Sequence, residues 1–292
     1  MRLNDYTTIP ITCQALFLLK ILTFYVTILK KFKRVNFMIT AIITGASSGL
    51  GREFALALKK RCPDIESFWL IARRREKLEE LAKELGEDKC FVLPLDLTGE
   101  EYVSELTQVL SDSVPEIKYL INNAGYGKLD YFENIPVGDC ANQVTLNCVS
   151  LTTVTRLCLP YMEKDGEIIN VASIASFAPN ARMTVYSSTK AYVLSFSRSL
   201  REEFKMSGKK LNCLAVCPGP MDTEFLPVAN IGKGTSKTFD TLPRTNPKKV
   251  AEKALKMSAK KKAVYTPKFF FKFYRVLSKI LPTSLVMKLA KT

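Results

Sequence analysis

The chain has 292 residues, no histidine, eight cysteines, and 43 Lys/Arg against 28 Asp/Glu, for a formal net charge of +15. That length holds a full hydrophobic core and suits a doubly wound sheet built as one domain. The absence of histidine excludes hydrolases and proteases that move protons through an imidazole, and histidine-ligated zinc sites. The cysteines form no C-x-x-C and lie mostly in apolar stretches, so no metal site is expected and a reducing, cytoplasmic setting is.

Residues 1–37 carry six basic side chains and one acidic one around an apolar stretch from Ile9 to Leu29. The stretch is close to the roughly 20 residues a membrane helix needs, although Gln14, Lys20 and three threonines interrupt it. Two readings stay open. It is an anchor, with Lys30 to Arg34 keeping the following domain on the cytoplasmic side, or it arises from translation upstream of Met38, which directly precedes the first strand pattern. Apolar runs of strand length then recur at Ile39–Thr44, Ser67–Ala72, Cys90–Leu95, Tyr119–Asn122, Glu167–Ala172, Leu211–Cys217 and Ala263–Tyr265. Helix-period segments separate all but the last pair, which predicts a parallel sheet. Strands that are apolar almost throughout require helices on both of its faces.

Between the first strand and the helical pattern Arg52–Lys60 stands Thr44-Gly45-Ala46-Ser47-Ser48-Gly49-Leu50-Gly51. A strand, a glycine turn and a helix start in that order aim backbone N–H groups and a positive helix end at a pyrophosphate, so a dinucleotide cradle is expected. The plain alternative is a tight strand-to-helix turn. Further along, Tyr186 and Lys190 are four residues apart and leave one face of a helix. An ammonium beside a phenol is expected to stabilise the phenolate, lower its pKa and make it a usable general acid.

The ordered set of Thr44 to Gly51, Asn122-Asn123-Ala124-Gly125, Asn147, Ser173, Tyr186, Lys190 and Pro218-Gly219 resembles the short-chain dehydrogenase/reductase family, from about Met38 to at least Tyr265. The resemblance implies a Rossmann-type α/β domain using NAD(H) or NADP(H), with Asn147, Ser173, Tyr186 and Lys190 as catalytic set. Tyr186 would protonate a carbonyl oxygen while Ser173 donates a second hydrogen bond to it. Lys190 would also bind the nicotinamide ribose, and Asn147 would hold a water relayed to Lys190. The cofactor would meet Gly45, Ser47, Ser48, Gly49, Leu50, Gly51, Asp96, Leu97, Asn123, Ala124, Gly125, Pro218, Gly219, Met221 and Thr223. The alternative for Asp96 is a cap for the helix expected near Thr98, and Asn122 reads as a structural tie between strand ends. The stretch Met221 to Pro247 reads as a long loop, the substrate lid in that family.

Cofactor choice is read at the end of the second strand. Ala72 stands where an acid would accept from a ribose 2′-hydroxyl, and Arg73 and Arg74 follow, suited to a 2′-phosphate. NADP(H) is therefore favoured over NAD(H), with Arg73 the first contact and Arg74 the second. Arg75 and Lys77 read as the solvated start of a helix over Arg75–Leu85.

The charge sits at the ends: residues 244–292 hold fourteen basic residues and one acidic, while the middle of the chain is nearly neutral. Residues 266–292 form a basic amphipathic segment, with Phe269, Phe270, Phe271 and Phe273 interleaved with lysines. It reads either as a membrane-surface helix or as a terminal helix packed on its own domain or a second subunit. Both favour a lipophilic ketone or alcohol as substrate. A homo-oligomer is expected and nucleic acid is not, because the excess charge lies among apolar residues without a nucleic-acid motif. The alternative to an enzyme is a non-catalytic dinucleotide sensor or scaffold, which would have no need of the complete Asn147, Ser173, Tyr186 and Lys190 set.

Overall fold

Successive side chains of a strand point to opposite faces of its sheet, and here both faces are apolar. Ala41 and Ile43 of β1 (Ile39–Thr44), Phe68 and Leu70 of β2 (Ser67–Ile71), Ile121 of β4, Ile169 of β5 and Leu214 of β6 enter one buried cluster. Ile42, Trp69, Leu120, Ile168 and Cys213, each one residue away, enter a second. With β3 (Cys90–Leu93), β4 (Glu116–Asn122), β5 (Met162–Val171), β6 (Asn212–Val216) and β7 (Val264–Tyr265), the strands pair in parallel in the order β3-β2-β1-β4-β5-β6-β7. This is the expected Rossmann-type sheet. The computed structural model describes residues 38–232, 234 and 236–289; the apolar stretch Ile9–Leu29 lies outside them.

Helices close both faces. On the first cluster lie α1 (Gly49–Arg61) and α2 (Arg75–Leu85), whose buried Leu78, Leu81, Ala82 and Leu85 follow the helical period. On the second lie α3 (Glu101–Ser113), α5 (Leu151–Cys158) and α6 (Thr184–Met206). The helical stretch that carries Asn147 is interrupted: α4 (Val137–Val144) passes through a π-helical turn at Thr145–Ser150 into α5, and a 3-10 turn follows at Leu159–Tyr161. The expected loop from Met221 to Pro247 contains two short helices, α7 (Phe225–Val228) and α8 (Lys237–Thr241), before α9 (Pro247–Ala259) returns to the first cluster.

The amino-terminal edge of the sheet is fastened by a buried polar network. Glu167, 4% exposed at β5, accepts from Asn212 Nδ2 at 2.8 Å, from Lys261 Nζ at 2.6 Å and from the Ser258 hydroxyl. Arg201 of α6 donates to Asn212 Oδ1 at 3.1 Å and to the Lys261 carbonyl at 2.7 Å. These bonds tie β5, β6, α6 and the end of α9 together. The opposite edge, where each strand ends, is left to loops, and the chain leaves β1 towards β2 on one side and β4 on the other. A crevice for ligands forms at such a reversal.

After β7 come α10 (Phe269–Ile280) and α11 (Thr283–Leu289). The sequence separates residues 266–292 from the enzyme domain, but the described residues from Met38 onward form one compact unit. Phe271 is fully buried, and a Cβ placed on Gly219, just beyond β6, would enter its ring. Phe269, Phe270, Phe273, Val276 and Ile280 of the same helix are exposed, so α10 packs by one face only. Among the described residues no helix is long and apolar enough to cross a membrane. Replacing Phe271 with alanine removes a buried ring, and Phe271→Ala is expected to lower unfolding stability by roughly 3–5 kcal/mol in urea denaturation.

Candidate active site

The turn after β1 has the backbone a phosphate cradle requires. Gly45 (φ 65°) and Gly49 (φ 54°) are left-handed, and a Cβ on Gly45 would stand 2.8 Å from Asn123 Nδ2. Ser48, the residue before α1, makes no side-chain cap bond, so the first N–H groups of the helix and its positive pole are open to an anion. The end of β4 is locked to this turn. Thr44 Oγ1 accepts from the N–H groups of Asn123 and Ala124 at 3.0 and 3.1 Å, and Asn123 Nδ2 donates to the Thr44 and Gly45 carbonyls at 3.2 and 3.1 Å. Asn122 Nδ2 donates to Thr155 Oγ1 at 2.9 Å and to Asn170 Oδ1 at 2.8 Å, both buried, which is the structural tie expected of it.

Beyond β2, Arg73 has no hydrogen bond or ion pair among the described residues, whereas Arg74 Nη2 donates to Ser47 Oγ at 3.2 Å and to Glu224 Oε2 at 2.6 Å. Asp96 Oδ1 accepts from Thr98 N–H at 2.9 Å and Thr98 Oγ1 at 2.7 Å. Partial burial opposes ionisation of Asp96, but those two bonds hold its carboxyl below the ordinary range. The helix that follows starts only at Glu101, so Asp96 caps a turn rather than α3.

The catalytic candidates come from β5 and α6. Ser173, two residues beyond β5, accepts from the Ala175 N–H at 3.1 Å, and its hydroxyl lowers the pKa of the nearby Tyr186 phenol. Tyr186 and Lys190 sit one turn apart on α6, both buried, with Lys190 Nζ 5.8 Å from the Tyr186 ring centroid. The ammonium donates to the Val171 carbonyl at 2.8 Å. Burial pushes the phenol up to about 12 against the downward pull of Ser173, and pulls the Lys190 ammonium down to about 8. The sequence argues for a phenol drawn downward. Here desolvation sets the direction, and the Lys190 proton is directed at a backbone carbonyl.

Asn147 stands in the π-helical turn, 1% exposed, and its amide is engaged: Oδ1 accepts from Tyr126 N–H at 3.1 Å, and Nδ2 donates to the Tyr126 carbonyl and to Thr189 Oγ1, both at 2.9 Å. A Cβ on Gly125 would meet Asn147 Oδ1 at 2.7 Å and Lys190 Nζ at 3.2 Å, so both lie directly behind that glycine. Gly127, not singled out in the sequence, lies against the phenol: its Cβ would stand 2.6 Å from Tyr186 Cδ2. The repeated glycine in Gly125-Tyr126-Gly127 was its only signal.

These groups border one cavity of about 820 Å³. Ser173, Tyr186 and Lys190 line it, as does every cofactor residue expected from the sequence except Gly51. Gly51 lies behind the cradle, where a Cβ would enter the Gly45 carbonyl and crowd the Asn123 amide. Its role is close packing rather than contact. Asn147 does not line the cavity either, and its side chain fixes the Tyr126 backbone and Thr189. Glu224, which the sequence did not single out, does line it. Among the described residues no group of three potential metal ligands forms, and all seven cysteines are free.

Lys190 has a pH signature. Its folded pKa of about 8 lies below the ordinary 10.5, so between those values the unfolded chain binds more protons and stability rises with pH. The burial penalty is in full force below pH 8 and relieved above 10.5. Lys190→Met removes it at all pH values. Measured by urea denaturation, wild type is expected to gain on this variant by on the order of 3 kcal/mol between pH 7 and pH 10.5.

The short chain dehydrogenase family pattern matches residues 39–233. An uncharacterised oxidoreductase of Staphylococcus aureus, strain USA300, is 30% identical over 192 residues, which is 65% of this chain and 81% of the relative. A short-chain dehydrogenase from Sphingobium yanoikuyae, solved in complex with NADPH, aligns with a TM-score of 0.69 and 26% identity over 84% of this chain and 97% of that one. The bulky-bulky ketone specific alcohol dehydrogenase from Comamonas testosteroni aligns with a TM-score of 0.67 and 27% identity over 84% and 92%. With the sheet order, the glycine cradle and the Ser173, Tyr186 and Lys190 constellation, these likenesses make the chain a member of the short chain dehydrogenase family and an NAD(P)-dependent oxidoreductase.

Proposed function

We propose that the protein reduces a lipophilic ketone with NADPH. The observation that carries this reading is the cavity itself. Its cofactor end meets the glycine turn and Arg73, and its other wall is aromatic and aliphatic: Phe225, Leu226, Phe239, Phe270, Phe273 and Leu277. The Phe225 ring lies 5.5 Å from that of Tyr186. A polar substrate would lose its hydration against such a wall without compensation, while a bulky apolar ketone gains from it. The bulky-ketone specificity of the Comamonas enzyme supports the same substrate class.

When bound, the reduced nicotinamide supplies the hydride. Tyr186 holds the proton that the carbonyl oxygen takes up, and its raised pKa keeps the phenol protonated at neutral pH until charge develops on that oxygen. Ser173 is fixed by its bond to Ala175 and gives the oxygen a second donor without reorganisation. Lys190, with its ammonium against the edge of β5, is positioned to hold the nicotinamide ribose and to draw the phenol down once the proton is leaving. Asn147 steadies this arrangement from behind Gly125 by binding Thr189 on α6.

Preference for NADP(H) rests on Ala72 at the strand end and on Arg73, an unpaired guanidinium in the cavity wall. The NADPH bound to the Sphingobium relative supports it. Two surfaces bear on partners. Val149 of the π-helical turn and Tyr192 of α6 are exposed apolar side chains, with the Tyr192 hydroxyl 2.8 Å from Thr152 Oγ1 of α5, and such an exposed apolar surface supports a homo-oligomer. The exposed apolar side chains of α10 that do not line the cavity, Phe269, Val276 and Ile280, lie among Lys268, Lys272 and Lys279 in the sequence and support contact with an anionic membrane surface.

Three measurements test the reading. Tyr186→Phe is expected to lose about two or more decades of turnover in a screen of lipophilic ketones followed by nicotinamide absorbance, with cofactor affinity retained. A variant keeping half the wild-type rate removes Tyr186 from the acid role. Arg73→Ala is expected to weaken NADPH far more than NADH, and equal losses would refute the phosphate assignment. The full chain is expected to bind anionic vesicles in a salt-sensitive manner and neutral ones weakly; equal binding to both refutes the charge-led contact.

A further inference from the structure

The segment between β6 and α9 crosses the cofactor end of the cavity as a strap. Thr223 lies over the glycine turn: its Cβ is 3.3 Å from the point where a Cβ on Gly49 would stand. The next side chain, Glu224, reaches over the same turn to Arg74, 150 residues earlier in the chain, and meets its Nη2 at 2.6 Å. The Ser48 hydroxyl lies near enough to lower the pKa of the carboxylate, and Arg74 holds Ser47 Oγ at 3.2 Å. A carboxylate, a guanidinium and the two serines of the cradle thus converge at the mouth of the groove. Arg73, beside them, makes no hydrogen bond or ion pair among the described residues, and its charge acts on the Asp96 carboxylate only from a distance.

The exposure of this ion pair decides what it can do. The two side chains are 45% and 53% exposed, and a pair so open to solvent adds little to folding stability. An anionic ligand can displace it. The carboxylate nevertheless stays charged at neutral pH, since Arg74 and Ser48 hold it below the ordinary glutamate range. Any phosphate brought to Arg74 must evict this negative charge or sit beside it, whereas a ribose hydroxyl meets no such competition.

We propose that Glu224 is a cofactor-selectivity residue: its carboxylate takes the Arg74 guanidinium that the ribose 2′-phosphate of NADP(H) would use, weakening that phosphate relative to the 2′-hydroxyl of NAD(H). This rests on the reading of Arg73 and Arg74 as the 2′-phosphate contacts. Arg73 then supplies the unopposed attraction, and Arg74 is a contact shared between ligand and strap. Removing the carboxylate while keeping an acceptor for Arg74 isolates the effect, which Glu224→Gln does at an exposed position.

The probes are adenosine 2′,5′-bisphosphate and adenosine 5′-monophosphate, titrated calorimetrically into the full-length wild type, Glu224→Gln, Arg74→Ala and the double variant. Glu224→Gln is expected to tighten the bisphosphate by about 5-fold at low salt and leave the monophosphate within about 2-fold. The gain is expected to shrink at high salt and to fall away in the Arg74→Ala background. Unchanged or weaker bisphosphate binding overturns the proposal, as does an equal gain for both probes or a gain that persists in full without Arg74. The wild-type ratio of the two affinities tests the NADP(H) reading separately. If wild type shows no preference for the bisphosphate while Glu224→Gln acquires one, that reading fails and the role of Glu224 stands.

Discussion

The whole arrangement depends on a sheet that must be covered on both sides. Ala41 and Ile43 need one layer of helices, Ile42 needs the other, and a parallel ladder whose connections supply both layers leaves only the strand ends free. Every chemical group of the site is therefore displayed at or just past a strand terminus or on α6, which packs beside β6. The cradle follows β1, the arginines β2, Asp96 β3, Asn123 β4, Ser173 β5 and Pro218-Gly219 β6. The residues come from distant parts of the sequence, but parallel strands finish at one edge and gather them there.

Proton handling in this chain proceeds without an imidazole. In the proposed function a phenol and an ammonium share the task, each moved by burial towards its neutral form: Tyr186 up to about 12 and Lys190 down to about 8. The low-dielectric setting that makes the phenol a reluctant acid also strengthens any charge that forms beside it. A buried lysine is tolerated here because its proton finds the Val171 carbonyl at the end of β5. The same carbonyl fixes the height of the ammonium relative to Tyr186.

Much of this was legible in the sequence, for identifiable reasons. Strands such as Ile39–Thr44 and Ser67–Ile71 are continuous apolar runs bounded by Gly or charged residues, and they declare themselves. The cradle and the Tyr186 to Lys190 interval are local patterns, so their geometry follows from neighbours in the chain. What depended on distant contacts was not legible. The two helices inside the expected loop, Phe225–Val228 and Lys237–Thr241, are four and five residues long, too short to carry a period and held by tertiary packing. The π-helical turn that sets Asn147 behind Gly125 has no composition of its own. Glu224 went unremarked because its partner lies 150 positions away, and the direction of the Tyr186 shift was hidden because burial is a property of the fold.

The bonds around Glu167 give the molecule a mechanical polarity. At the amino-terminal edge, one carboxylate binds Asn212 of β6, Ser258 of α9 and Lys261 just beyond it at once, while at the other edge the strap crosses the cradle on a solvent-exposed ion pair and the contact of Thr223 with Gly49 before Ala229, Ile231 and Phe239 bury it again. Local opening follows the weaker fastening. Opening is therefore expected to be rarest beneath Glu167 and easier where Thr223 and Glu224 cross the cradle. Fluctuations that admit and release ligands leave the sheet itself undisturbed, because the foundation and the roof open with different free energies.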